Sequence, residues 1–370
     1  VGTTPKRMVF GLMLTTTFLS AFMSNTATAA MMVPVAMALI TLVHSTKAVG
    51  DPDAVTHERN FSLCILLALA YGASIGGMAT LIGSPPNGIY MRFMEQTYGQ
   101  VVSIASWMKV GVPVTLLLFI VSFFVLTGLM FRNMGGSVPG GKEWVRNELR
   151  SMGKLSTGEK AVGLCFLIAA VLWFSGAQLR GINIDGWQPF KYLTDAVIAM
   201  GMGIVPFLIP VDRKGTMAMD WKTANEAISW DVLLLFGGGL SLASAIQHTG
   251  VAQLIGAQVA VLAGSPFPVV LFGVVFIVTF ATGVTSNTAL AAMMMPLLAA
   301  VANALGLPPQ PILMGTALAA SAAFILPIST PPNAIVFGTG KIKIADMFRA
   351  GILINFVAIF VITGVMLLLD

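Results

Sequence analysis

"SNTATAAMMVP" at residues 24–34 and "SNTALAAMMMP" at 286–296 agree at nine of eleven positions and lie 262 residues apart. Each sits inside a long apolar stretch, 8–43 and 266–306. At 1.5 Å per residue, either stretch would overrun the roughly 30 Å hydrocarbon layer as a single helix. A polar tripeptide near the middle predicts that each is a hairpin of two shorter helices.

The rest of the composition agrees with a membrane setting. Of 370 residues 56% are hydrophobic and 9% charged, outside the range of soluble domains. Further apolar segments lie near 61–83, 101–131, 161–179, 192–210, 227–246, 311–328 and 345–369. The expectation is an all-α polytopic protein with the lipid bilayer as its main partner. The net charge of +5 comes from Lys and Arg in the connections, which argues against nucleic acid. Threading the segments alternately leaves only Arg92, Lys109, Arg180 and Lys191, of 20 basic residues, on one face. The other face is then cytoplasmic, in a cytoplasmic (inner) cell membrane. The first hairpin opens to the cytoplasm, and the second opens to the outside, where the chain also ends. Cys64 and Cys165 lie in apolar runs and read as packing residues.

A second shared element follows each tripeptide: "GSPPN" at 83–87 and "STPPN" at 329–333. The repeated unit is a hairpin, then a broken helix. The spacing differs by 16 residues between copies, an excess assigned to the polar loop 45–60. Opposed repeats with interrupted helices point to the central site of a secondary transporter.

Asn and Thr are helix-capping types, and each SNT precedes a helical run, 27–42 and 289–305. Helix N-termini suit an anion. Each proline pair frees carbonyls in the preceding turn, while the asparagine after it opens a new half-helix. Such carbonyls and nearby hydroxyls are hard oxygen ligands for Na⁺. Ser20 and Thr282 match between copies, each four residues before the SNT serine and so one helical turn away. No Lys or Arg lies in either hairpin core or between 311 and 337. A multivalent anion there needs co-bound cations, which favours symport over exchange.

Together with "WDVLLLFGGGLSLA" at 230–243, these motifs resemble the divalent anion:sodium symporter family, the INDY-type di- and tricarboxylate carriers, over essentially the whole chain. The resemblance implies a sodium-coupled symporter of C4-dicarboxylates such as succinate, working as a homodimer by an elevator motion. A sodium-independent dicarboxylate antiporter of the same fold is the alternative. It implies a transport domain of re-entrant hairpins and broken helices (1–44, 61–131, 265–306 and 311–370), a cytoplasmic linker (132–160) and scaffold helices (161–264). Sodium, the coupling ion, would be held first by Ser20, Ser24, Asn25 and the Gly83 carbonyl. The second ion would take Thr282, Thr285, Asn287 and the Ser329 carbonyl. Asn25, Thr26, Ser84, Asn287, Thr288, Thr330 and Pro331 would line the carboxylate site. Thr285 and Ser329 stand where the family is expected to have small residues such as alanine. Family members carry further helices before the first hairpin, which this chain is expected to lack.

Other features weigh less. Gly72–Gly76 fits G-x-S-x-G, but within a helical run it reads as close packing rather than a hydrolase elbow. His44, His57 and His248 show no metal-ligand spacing, so the protein is not read as an enzyme. Asp231 beside Trp230 reads as an interfacial cap, and 140–154 as an interfacial helix.

Overall fold

The computed structural model describes residues 4–45, 53–136, 143, 146–147, 150, 153–185, 187–212, 215–228, 230, 234, 237–238, 241, 244–245, 248–250 and 264–369. Its principal helices are α1 (Pro5–Ser20), α2 (Asn25–Ser45), α3 (Ala54–Gly76), α4 (Pro85–Tyr98), α5 (Ile104–Phe124), α6 (Thr157–Arg180), α7 (Asp195–Ile204), α8 (Trp221–Ala227), α9 (Phe267–Ala281), α10 (Asn287–Leu305), α11 (Pro309–Ala320), α12 (Pro331–Gly338) and α13 (Ile344–Leu369). Among the described residues there is no β-strand, and six helices are long and apolar enough to cross a membrane. Asp231, most of 230–243 and most of 140–154 lie outside the described residues.

Both overlong apolar stretches divide at their SNT tripeptides, α1 from α2 and α9 from α10. The new helix begins at Asn25 and Asn287, two residues earlier than expected. In the first copy the cap is therefore Ser24, whose Oγ accepts the Ala27 N–H at 3.2 Å. The proline pairs also act differently from expectation. Pro85 and Pro86 are the first two residues of α4, and Pro331 and Pro332 of α12, where a missing N–H costs nothing. The prolines open the half-helices, and the asparagine after them is left with its side chain turned back into the break.

Clustering of contacts separates two compact units, residues 1–102, 107–144 and 232–370 in the first, and 103–106 with 145–231 in the second. In the first unit, every residue of α3 from Phe61 to Gly76 and of α11 from Pro311 to Ala320 is buried. Helices apolar on all sides belong in the interior. α1 and α2 pack on α3, and α9 and α10 pack on α11. The repeats then exchange arms: α2 reaches α12, and α10 reaches α4.

A third helix completes each repeat. A methyl at Gly111 of α5 would press on the Met78 carbonyl, and one at Gly351 of α13 would overlap the Phe324 carbonyl. One turn further along, Thr115 Oγ1 donates to Ile75 O (3.1 Å), and Asn355 Oδ1 accepts from Phe324 N (3.2 Å). Trp107 Nε1 adds a bond to Met78 O at 2.9 Å. Backbone left irregular by the break is thus satisfied from the following helix.

The segment assigned the 16-residue excess is in good part helix rather than loop. α3 has 23 residues and α11 has 12, so eleven of the extra residues lie in a longer α3, which includes 54–60 of the supposed loop. The added turns carry Arg59 to Asp346 at the start of α13, Nη2 to Oδ1 at 3.3 Å. The packing reading of Gly72–Gly76 is met in α3, where Gly76 lies against the Thr17 backbone of α1.

The second unit is built on α6, whose N-terminus carries a reciprocal Ser156–Glu159 capping box. α7 is only ten residues long and runs into a 3₁₀ turn at Val205–Phe207, because Pro206 follows it. The 192–210 segment is thus shorter as a helix than expected. Asp195 organises this unit: its Oδ2 accepts from Ile104 N (3.0 Å), its carbonyl from Trp173 Nε1 (3.1 Å), and Arg180 lies 3.9 Å away.

Replacement of Gly351 by alanine is expected to destabilise the fold by about 1–3 kcal/mol through overpacking on the Phe324 carbonyl. Gly364→Ala, on the same helix with open space around it, is expected to stay within about 0.5 kcal/mol. Thermal midpoints of the two variants in detergent check this, and equal shifts would rule out the packing account.

Candidate functional site

The two breaks of each repeat meet at one hydroxyl. Ser20, the last residue of α1, places Oγ 2.7 Å from Asn25 Oδ1 and 2.7 Å from Ala73 O of α3. Thr282, just past α9, places Oγ1 2.6 Å from Asn287 Oδ1 and 2.7 Å from Ala320 O of α11. The two trios correspond residue for residue in the hairpins, at the 262-residue offset of the SNT motifs. Ser20 and Thr282 reach their asparagines across a break in the helix, not along one helical face as expected.

A hydroxyl has one proton, and each of these has two acceptor oxygens at hydrogen-bond distance. With the amide oxygen facing the hydroxyl, three oxygens gather at each break, a cluster of the kind that can hold a small cation. Every donor atom is a neutral hard oxygen, the type Na⁺ prefers over softer ligands. Ser20 and Thr282 are fully buried, while Asn25 and Asn287 are half-buried, so the trios lie at the edge of the core.

The remaining expected ligands divide. Gly83 lies against the Ser20 backbone, where a methyl on it would fall 2.9 Å from Ser20 O. Ser24 is exposed and its hydroxyl serves as the α2 cap. Thr285 is exposed and its Oγ1 donates to Ala281 O at 2.9 Å. Ser329 is buried, with Oγ donating to Leu326 O at 2.6 Å.

Among the expected anion contacts, Thr26 is exposed and its counterpart Thr288 is buried. Thr330 Oγ1 accepts the Asn333 N–H (3.3 Å) as the cap of α12, with Pro331 exposed beside it. Ser84, the cap residue of α4, lies with Oγ 3.0 Å from Ser321 Oγ. Ser321 follows Ala320, so the start of α4 in the first repeat stands beside the trio of the second.

Asn87 and Asn333 carry no ligand role in the sequence expectations, yet each is fully buried in the break. Asn87 Nδ2 donates to Gly77 O (2.8 Å) and Thr80 O (2.7 Å), and Asn333 Nδ2 to Ala323 O (3.1 Å) and Leu326 O (3.0 Å). Carbonyls freed by the break thereby accept from a side chain. The constant offset of 246 residues from one PPN motif to the other was the available signal. The copies differ at Thr80, whose Oγ1 donates to Ala21 O at the first hairpin's turn, whereas the second repeat has Leu326 there.

Paired helix-break-helix units that present matched oxygen clusters define a class, the membrane carriers for ions and small solutes. Residues 1–369 match the family described as "Sodium:sulfate symporter transmembrane region", and the chain belongs to that family. It is a transporter rather than an enzyme, and a multi-pass protein of the cell membrane. The family is the one expected from the paired SNT and PPN motifs. The chain is 37% identical over 367 residues to the "Sodium-dependent dicarboxylate transporter SdcS" of Staphylococcus saprophyticus, covering 98% of this chain and 69% of the relative. A protein of the same name from Staphylococcus aureus is 36% identical over 364 residues, with 98% and 69% covered.

Thr282→Val keeps the side-chain shape and removes the oxygen, and is expected to weaken the sodium-dependent rise in thermal midpoint by about tenfold in sodium concentration. Thr282→Ser should retain most of that response. A Val variant that responds to sodium as the wild type does would show that the second trio takes no cation.

Proposed function

We propose that the protein is a sodium-coupled symporter of C4-dicarboxylates such as succinate, acting by an elevator motion as a homodimer. The observation that carries this reading is the pair of equivalent oxygen trios, each at the start of a helix. The names of the relatives support the ion and the substrate class. The separation into two compact units supports a transport domain distinct from a scaffold.

Coupling follows from the two asparagines. Asn25 and Asn287 turn Oδ1 toward the trio, so a sodium ion bound there fixes the amide plane. The opposite edge of the same amide is a donor, and with Thr26, Ser84, Thr288, Thr330 and Pro331 it frames a place for carboxylates at the starts of α2, α4, α10 and α12. The dipole ends of those helices favour the anion, and the bound sodium ions supply the formal charge that the side chains there lack. Each ligand is poorly bound without the other, which prevents either from crossing alone. In this reading the hairpins re-enter the membrane from opposite faces.

The test is uptake of radiolabelled succinate into proteoliposomes containing the intact protein, with and without an inward sodium gradient. Uptake should require sodium and fall at least about tenfold in Asn25→Ala and in Asn287→Ala. Uptake driven by internal succinate and indifferent to sodium would overturn symport in favour of exchange.

A further inference from the structure

The geometry points to Asn87 and Asn333 as positioning residues that set the affinity of the two cation sites without touching the ions, an inference that rests on the sodium reading above. Both are fully buried, both follow a proline pair, and both spend their Nδ2 group on two carbonyls of the break.

The amide is retained for its donors. Asn87 Oδ1 and Asn333 Oδ1 are each buried with no partner among the described residues. An unpartnered buried acceptor costs free energy, and a leucine would fill a similar volume without it. The two N–H groups have to offset that cost, and their partners show how. In the first repeat Asn87 grips Gly77 O, and Gly77 is pressed so close to the first trio that a methyl on it would overlap Asn25 Oδ1. Release of Gly77 O would let this backbone shift against the amide that the sodium ion needs. In the second repeat Asn333 Nδ2 also donates to Ser329 Oγ at 3.1 Å, and Ser329 is the residue whose carbonyl is assigned to the second ion. Both asparagines grip the backbone carbonyls of the break, so the influence runs through that backbone.

Groups that orient metal ligands from behind commonly change affinity by about 10–100-fold when removed. The experiment is a sodium titration of the thermal midpoint of the intact, detergent-purified protein, with choline chloride holding ionic strength constant. Asn87→Leu and Asn333→Leu are expected to raise the sodium concentration for half-maximal stabilisation by about tenfold or more. Asn87→Ser and Asn333→Ser, which keep one donor, provide milder variants if the leucine forms do not fold, and should shift it less but in the same direction. A variant whose midpoint in choline falls while its half-maximal sodium concentration matches wild type has lost packing alone, and that result overturns the positioning role. A wild-type protein with no sodium response would overturn the sodium reading and this inference together. The first outcome leaves the sodium reading standing, so the two failures are distinguishable.

Discussion

Irregular backbone in an apolar setting must have its polar groups satisfied from within the protein, and each interrupted helix here meets that demand with side chains from its own repeat. In the first break these are Asn87, Thr80, Thr115 and Trp107; in the second they are Asn333, Ser329 and Asn355. Once those donors are placed, Ala73 O and Ala320 O remain directed at the hairpin hydroxyls. The oxygen trios therefore follow from how the breaks are closed.

Reciprocal packing ties the two repeats to each other. Because α2 packs on α12 and α10 packs on α4, neither repeat can be moved without disturbing the helix starts of the other. The Ser84–Ser321 contact joins them at hydroxyl level. Both participants are buried and neutral, so the link needs no compensating charge in the interior.

Much of this was legible in the chain itself. Two near-identical eleven-residue stretches in overlong apolar segments located the helix breaks, and the PPN pairs located the others. Ser20 and Thr282 were identified by the same offset as the SNT motifs. The partners of those hydroxyls were not legible, because Ala73 and Ala320 act through backbone carbonyls, and nothing in an alanine marks its carbonyl as exposed. The role of Asn87 and Asn333 was misread for a related reason. A capping residue type beside a proline pair suggests the start of a helix, but proline occupies that position better, and the amide turns backward. The extension of α3 was hidden by polar residues such as His57, Glu58 and Arg59, which look like loop and yet continue the helix. The sequence also could not show Thr285 spending its hydroxyl on its own helix, a local bond that any exposed threonine at a helix end can make.

The longer α3 has a geometric meaning. An object made of two equivalent halves related by a two-fold axis looks the same from either end, and nothing in it distinguishes front from back. Eleven added residues lengthen α3 by about 16 Å beyond its counterpart. They deliver Arg59 to Asp346 at one end alone; 246 residues on from Arg59, before the start of the counterpart helix α11, stands Leu305. With Arg59 largely in solvent, the ion pair contributes on the order of 0–1 kcal/mol, too little to matter for stability. What it gives the molecule is a mark of orientation: a duplicated, self-similar core acquires two unequal poles.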